Sequence, residues 1–237
     1  MNSKIKRAVV LAGGKGTRLR PYTVVLPKPL MPIGEFPILE VVVRQLVRSG
    51  FGHITMAVNH QADLIRAFFG DGQKWNVKID YSQENDPLGT MGPLNLIPDL
   101  PEHFLIMNGD VLTDLDFRKF HDEHVGSESI FSISAYERVQ KVDYGVLSAD
   151  QNGRLIGFVE KPSNMYLVSM GIYMASHRIM EFIPRSFYGF DTLMLNLINK
   201  REQVAIKHHQ GYWLDIGRPD DYMQAIEEFD GLKDKLI

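Results

Sequence analysis

The chain has 237 residues, of which 44% are hydrophobic and 23% charged, a composition typical of a globular protein with a sizeable core. The formal net charge of -3 leaves no basic excess for a nucleic-acid backbone, and the absence of cysteine excludes disulfides, thiolate metal sites and cysteine nucleophiles. No apolar run approaches the roughly 18 residues of a membrane span, and no signal-peptide core is evident. We therefore expect a cytoplasmic protein with no nucleic-acid or membrane partner.

Apolar runs alternate with amphipathic segments through residue 125. The run RAVVLAGG predicts a buried parallel strand that ends in glycines. A helix is predicted next in PILEVVVRQLVRSG, with Pro37 at its start and Gly50 as its C-cap. The alternation continues through HITMAV, QADLIRAFFG, VKIDYS, HFLIMNGD, FRKFHDEHVG and SIFSISAYE. This order predicts an α/β sandwich with a largely parallel sheet.

The pattern changes in the second half of the chain. The segment YGVLSADQNGRLIGFVEK predicts two strands joined by a turn at Asn152 and Gly153. The remaining segments predict a strand, a helix, a strand and a closing helix in VSMGIYMA, DTLMLNLINK, QVAIKHH and RPDDYMQAIEEFD. We expect a single domain over residues 1–237 with an inserted antiparallel element. His121 and His124 fall on a polar helix face and are expected to be exposed.

The loop after the first strand is the strongest local signal of chemistry. Its glycines at positions 13, 14 and 16 let the backbone approach a ligand, and successive N–H groups can form a nest for phosphate oxygens. Lys15, Arg18 and Lys28 add positive charge nearby. The segment GGKGTRLRP does not match a P-loop, and the prolines that follow exclude the helix that a dinucleotide fingerprint requires. The loop therefore predicts a polyanion site, with a tight turn carrying solvated basic residues as the alternative.

The motif LAGGKGTRLRPYT, followed by PKPL, resembles the signature of the sugar-phosphate nucleotidyltransferases. The similarity continues through FFGDGQKWNVKIDYSQENDPLGT, MNGDVLTD, GFVEKPS, GIYM and YWLDIGRPDDY, so that it covers nearly the whole chain. The C-terminal half is most similar to bacterial mannose 1-phosphate and amino-sugar 1-phosphate guanylyltransferases. The resemblance implies a Rossmann-like three-layer α/β/α sandwich with a mostly parallel mixed sheet and an inserted antiparallel sugar-binding element. The nucleotide-binding part would cover about 1–125 and the sugar-binding part about 126–237.

The resemblance also implies a reaction and its participants. A phosphate oxygen of a sugar 1-phosphate, mannose-, glucosamine- or heptose-like, would attack the α-phosphorus of an NTP, and pyrophosphate would leave. By this resemblance Asp110 and Asp215 would hold Mg²⁺, which prefers oxygen ligands. Asp110 comes at the end of the apolar run FLIM, and Asp215 is flanked by apolar residues and a glycine. The oligomeric state is open, with a homodimer among the alternatives.

The resemblance assigns roles to further residues. The catalytic set it implies is Arg18, Lys28, Asp110, Lys161 and Asp215. The nucleotide-binding set is Leu11, Ala12, Gly13, Gly14, Lys15, Gly16, Thr17, Glu84, Gly89 and Thr90. The sugar-binding set is Asn108, Gly109, Gly145, Glu160, Ser169 and Gly171, where Ser169 occupies a position at which relatives often carry asparagine.

The base preference depends on residue 84. Glutamine at this position presents one acceptor and one donor and so complements uracil or thymine, whereas the two acceptors of Glu84 complement the adjacent donors of guanine. The sequence therefore favours GTP. Because Gln83 is adjacent, an alignment shifted by one residue would place a glutamine at this position and predict recognition of uracil or thymine. A uridylyl-, thymidylyl- or cytidylyltransferase remains an alternative, as does a regulator that binds nucleotide sugars without catalysis.

Overall fold

The computed structural model describes residues 5–59 and 61–237. This part of the chain forms thirteen strands and five α-helices. The strands, in chain order, are β1 (Lys6–Leu11), β2 (Pro32–Ile33), β3 (Phe36–Pro37), β4 (Phe51–Val58), β5 (Lys78–Gln83), β6 (His103–Asn108), β7 (Val111–Thr113), β8 (Phe131–Lys141), β9 (Val146–Ala149), β10 (Leu155–Val159), β11 (Ser163–Ser176), β12 (Val204–His209) and β13 (Trp213–Asp215). The helices are α1 (Ile38–Arg48), α2 (Ala62–Phe69), α3 (Phe117–Val125), α4 (Phe190–Asn199) and α5 (Pro219–Leu236).

A seven-stranded sheet lies at the centre, in the order β12-β8-β11-β6-β1-β4-β5. Strand β11 runs antiparallel to both of its neighbours, and the other four strand pairs are parallel. Strands from both halves of the chain thus share one sheet. The expectation of a mostly parallel mixed sheet is confirmed.

The sheet is covered on both faces because its strands alternate apolar side chains between two cores. Ala8 and Val10 of β1 face the core formed with α1, α2 and α3, whereas Val9 faces the core that receives Leu193 and Leu197 of α4. Helix α5 packs in a third cluster with the start of α1. The layers are therefore helix, sheet and helix, as predicted.

The boundaries differ slightly from those predicted from the sequence. Pro37 is the N-cap of α1 rather than its first residue, and Ser49 is the C-cap. Gly50 follows with φ +87°, the left-handed conformation that glycine adopts without strain. Strand β11 has 14 residues and is longer than the predicted strand VSMGIYMA, because it extends along β8 as a two-stranded arm, Ala135–Lys141 with Ser163–Ser169. The arm carries the predicted hairpin β9–β10.

The prediction that His121 and His124 are exposed is wrong. His124 is fully buried, and its Nδ1 lies 2.8 Å from Ser132 Oγ. Helix α3 places it on the same face as the buried Phe117 and Phe120. The His121 side chain is only 13% exposed and pairs with Asp122. Across residues 5–59 and 61–237, we find no helix with the length and apolar character that a membrane crossing requires.

Candidate active site

A cleft of about 560 Å³ opens at the carboxyl ends of β1, β4, β5 and β6. Residues 11–15 line it at the end of β1 and beyond, Asn59 after β4, Glu84 after β5, and residues 108–110 at the end of β6 and beyond. The loop with Gly89 and Thr90 closes one side. Carboxyl ends of parallel strands are the usual ligand position in an α/β sheet, and the cleft lies there.

Gly14 and Gly16 of the first loop differ in whether the surrounding structure requires glycine. A Cβ at Gly14 would meet no heavy atom within 4 Å, so packing does not require glycine there. Open space beside exposed backbone amides is what a phosphate group needs. Gly16 instead adopts φ +60°, its Cβ would lie 2.9 Å from a Thr23 methyl group, and it does not line the cleft. Gly16 therefore shapes the loop, and the neighbouring Thr17, which is exposed, begins a 3-10 turn that ends at the buried Leu19.

Lys28 and Asp110 form an ion pair in the cleft. Lys28 Nζ donates to Asp110 Oδ2, and the lysine is 8% exposed. Asp110 Oδ1 is buried and has no hydrogen-bond partner in the described part of the chain. A buried carboxylate oxygen left without a donor is costly, unless a ligand or an ion supplies its partner.

Asp215 reaches the same region because β13, which it ends, pairs with β7. The backbone N–H of Ile216 donates to the carbonyl oxygen of Asp110, at 3.1 Å. Burial raises the pKa of Asp215 and the charge of Asp110 raises it further, whereas Lys28 and Arg18 lower it. Of the five predicted catalytic residues, Arg18, Lys28 and Asp110 thus lie within electrostatic reach of Asp215.

The arrangement fits a divalent cation that shares its ligands with a substrate. Two carboxylates, one with an unpartnered oxygen, supply hard oxygen ligands, and phosphate oxygens and water can complete the shell. Within residues 5–59 and 61–237, no group of three or more His, Cys, Asp or Glu residues could hold a metal ion. The protein therefore offers a shared site rather than a closed cage.

A second cleft of about 800 Å³ shares the lining residue Arg18 with the first. It lies between the arm and the loop after β13, where Asp215, Gly217 and Arg218 line it. The arm contributes the cations Arg138 and Lys141. A charged molecule in the second cleft would lie beside a nucleotide in the first, with Arg18 between them.

The structure brings only part of the predicted sugar set to these clefts. Asn108 and Gly109 line the first cleft. Gly171 has φ +74°, and a Cβ added at this position would lie 2.5 Å from Asn108 Nδ2. Ser169 Oγ lies 3.0 Å from the Tyr173 hydroxyl and accepts a hydrogen bond from the N–H of Gly171. Its side chain therefore stabilises the bulge in β11.

The remaining predicted sugar residues lie around the hairpin. Gly145 packs against Phe158 and Glu160, whose atoms would be 2.6 and 3.2 Å from its Cβ. Glu160 and Lys161 are exposed and line neither cleft, and Lys161 adopts φ +44°. Their roles stay predictions.

Glu84 rather than Gln83 faces the first cleft. Gln83 is exposed at the end of β5, where its Oε1 accepts from Arg66. Glu84 lines the cleft, accepting at Oε1 from Asn59 Nδ2 at 3.1 Å and at Oε2 from the N–H of Leu88 at 2.9 Å. The structure therefore excludes the alternative alignment, in which Gln83 would take the base-recognition position of Glu84.

Sequence reasoning missed several residues that line the clefts. Asn59 follows the apolar run of β4 just as Asn108 follows that of β6, and this repeated pattern could have identified it. Arg138, Tyr166 and Arg218 carried no signal, because only the pairing of the arm and the fold of β13 bring them together.

Comparison with known proteins gives consistent relatives. The profile of the family described as "Nucleotidyl transferase" matches residues 7–230. The mannose-1-phosphate guanylyltransferase catalytic subunit beta of Danio rerio is 35% identical over 232 residues, covering 93% of this chain and 63% of the relative. The UTP–glucose-1-phosphate uridylyltransferase of Synechocystis sp. is 33% identical over 243 residues, covering 93% and 62%. The chain thus spans less than two thirds of these curated relatives.

Solved structures match over most of the chain. HddC from Yersinia pseudotuberculosis superposes with a TM-score of 0.73 at 31% identity, covering 95% of this chain and all of that one. The same protein complexed with GMP-PN gives a TM-score of 0.71. Together with the family profile, these matches show that the chain belongs to the nucleotidyl transferase family.

Proposed function

We propose that the protein joins GTP and a mannose-, glucosamine- or heptose-like sugar 1-phosphate, in the presence of Mg²⁺, to give a GDP-sugar and pyrophosphate. The relatives named as guanylyltransferases support the reaction, and the solved complex of HddC with GMP-PN supports a guanine nucleotide. The observation that carries the proposal is the meeting of Arg18, Lys28, Asp110 and Asp215 where the two clefts join.

The chemistry requires positioning and charge neutralisation rather than a base. An ionised phosphate oxygen of the sugar phosphate forms a bond to the α-phosphorus, and the bond from that phosphorus to the bridging oxygen of the pyrophosphate breaks. The amides near Gly14 hold phosphate oxygens, Lys28 neutralises the α-phosphate, and Arg18 faces the departing pyrophosphate. No proton needs to be abstracted from the nucleophile.

Enzymes of this family generally use a divalent metal ion. In this chain Asp110 and Asp215 would hold it, and Mg²⁺ suits two carboxylates completed by phosphate and water. The bound ion would supply charge neutralisation between the two phosphates. The buried Lys28 donates to Asp110 Oδ2 and so orients the carboxylate.

The sugar 1-phosphate enters, in this proposal, from the second cleft. Arg18 and Asp215 line it beside the first cleft. The cations Arg138, Lys141 and Arg218 outnumber the one further carboxylate in its lining, Asp221. Glu160 would bind sugar hydroxyls, and Lys161 would meet the sugar phosphate after movement of the hairpin.

A matrix of nucleotides against sugar 1-phosphates tests the function. GTP, UTP, dTTP and CTP are each combined with mannose, glucose, glucosamine and heptose 1-phosphates in the presence of Mg²⁺, and released pyrophosphate is measured. We expect the highest rate with GTP. A higher rate with UTP, dTTP or CTP would favour the alternative base specificity. Tight GTP binding without pyrophosphate in any combination would favour a non-catalytic regulator instead.

We also propose that the protein forms a homodimer through its hairpin. In the described part of the chain, β9 and β10 pair only with each other. Their cross-strand pair Leu147 and Phe158 is 66% and 58% exposed. Isolated two-stranded hairpins are marginally stable in water, so this surface needs a cover. Segment 137–161 carries four basic and four acidic residues, a balance that suits a second copy of the same surface.

Light scattering after gel filtration tests the dimer. Leu147→Glu should give a monomer, whereas Ile198→Glu, at a residue 67% exposed on α4, should remain dimeric. A wild-type protein that is monomeric at every concentration would contradict the proposal. Dissociation of both variants would also contradict it.

A further inference from the structure

Two donors from different parts of the fold hold the Glu84 carboxylate. Asn59 Nδ2 donates to Oε1 at 3.1 Å, and the N–H of Leu88 donates to Oε2 at 2.9 Å. Asn59 follows β4 and Leu88 belongs to the loop after β5, so two elements fix the carboxylate plane. The orientation is therefore built into the protein before a ligand arrives.

The two donors leave a defined capacity for hydrogen bonds. A carboxylate has about four lone-pair sites, two on each oxygen. Asn59 and Leu88 use one site on each oxygen of Glu84, so one site on each oxygen remains. Two adjacent acceptors match the N1–H and 2-amino group of guanine, which are adjacent donors.

The first glycine of the loop packs against this pair. A Cβ at Gly13 would lie 3.2 Å from Asn59 Cβ and 3.2 Å from Glu84 Oε1. Contacts this short would push the two side chains away from the loop. Gly13 thus permits the close approach of Asn59 and Glu84, in addition to any contact with phosphate.

We propose that Asn59 is a positioning residue for base selection, which acts through Glu84. Its amide donor favours a carboxylate over a glutamine amide at position 84 and holds one acceptor toward the guanine edge. A glutamine at 84 has one oxygen for the two donors, so either Asn59 must turn its carbonyl oxygen toward it or one donor loses its partner. The inference rests on the proposed use of GTP.

Asn59→Leu removes the donor at similar size. We expect kcat/KM for GTP to fall about tenfold or more, since a hydrogen bond to a charged group is lost. The KM for the sugar 1-phosphate should not change. The matched control is Asn85→Leu, the same substitution one residue beyond Glu84 at an exposed position, and it should behave as wild type.

A double-mutant cycle separates positioning from a general structural role. In a Glu84→Ala background, Asn59→Leu should have little further effect on GTP use, because its partner is gone. Independent, multiplicative losses would overturn the inference. Asn59→Asp alone should impair GTP binding by placing two carboxylates together. Combining it with Glu84→Gln should restore nucleotide binding and shift preference toward UTP or dTTP, since the glutamine then presents one donor and one acceptor.

The failures of the two proposals are distinguishable. No pyrophosphate from wild-type protein with any nucleotide would refute the proposed function. An active wild-type enzyme whose preference for GTP over UTP is unchanged in Asn59→Leu would overturn this inference alone.

Discussion

Replacing Gly171 with alanine tests how tightly β11 and Asn108 are fitted. Gly171 has φ +74°, and a left-handed conformation costs an alanine about 1–2 kcal/mol. At about 2–4 °C per kcal/mol for a chain of this size, Tm should fall by roughly 2–8 °C. The added Cβ would lie 2.5 Å from Asn108 Nδ2, so Asn108 must also leave its position in the cleft. We therefore expect a loss of kcat/KM beyond the loss of stability.

Gly153→Ala is the matched control. Gly153 has a similar φ of +76°, but its Cβ would meet nothing within 4 Å. This variant should carry the backbone strain without displacing a cleft residue. Both variants are compared by thermal unfolding and by pyrophosphate release well below Tm. Equal kinetics in both variants and the wild type would refute the role assigned to Asn108.

Three further results are expected. Burial, together with His103 and His121, lowers the pKa of His124 to about 4, so the folded state favours the neutral ring. Burial of the neutral ring therefore makes the free energy of unfolding depend on pH. Above about pH 6.5 the folded state has its full stability, and as the pH falls toward 4 it loses on the order of 3 kcal/mol in total. Urea unfolding of His124→Gln should show a flatter pH profile, and an unchanged profile would contradict the assignment. Arg138→Ala should raise KM for the sugar 1-phosphate more than for GTP, whereas equal effects would remove the second cleft from substrate binding. Lys161→Ala should likewise raise the KM for the sugar 1-phosphate in initial-rate kinetics, and an unchanged KM would contradict closure of the hairpin on the sugar phosphate.

Local pattern predicted most of the fold because the elements differ in period. The run before Gly13 is apolar on both faces and became the buried β1, and the alternating segment SIFSISAYE became part of β8. His124 shows where polarity misled the prediction. The Phe117 and Phe120 spacing already placed it on the buried face, but its residue type suggested solvent.

The resemblance to a known family, rather than the residue pattern, predicted that Asp110 and Asp215 share one site. Residue pattern alone could not, because their proximity depends on the pairing of β7 with β13 across a long stretch of chain. The position of Asn59 after β4 could have marked it as a cleft residue, but its contact with Glu84, which follows the neighbouring strand β5, could not be predicted from local pattern. Long-range pairing, rather than local propensity, thus decides which polar residues share a site.

Pyrophosphate release by Asp110→Asn and Asp215→Asn, with GTP, mannose 1-phosphate and Mg²⁺, tests the central claim most directly. Both variants should lose at least about a hundredfold in kcat, the size seen when a group that stabilises transition-state charge is removed. Their circular dichroism spectra should match the wild type. Near-normal turnover in both variants would contradict a reaction centre at these carboxylates.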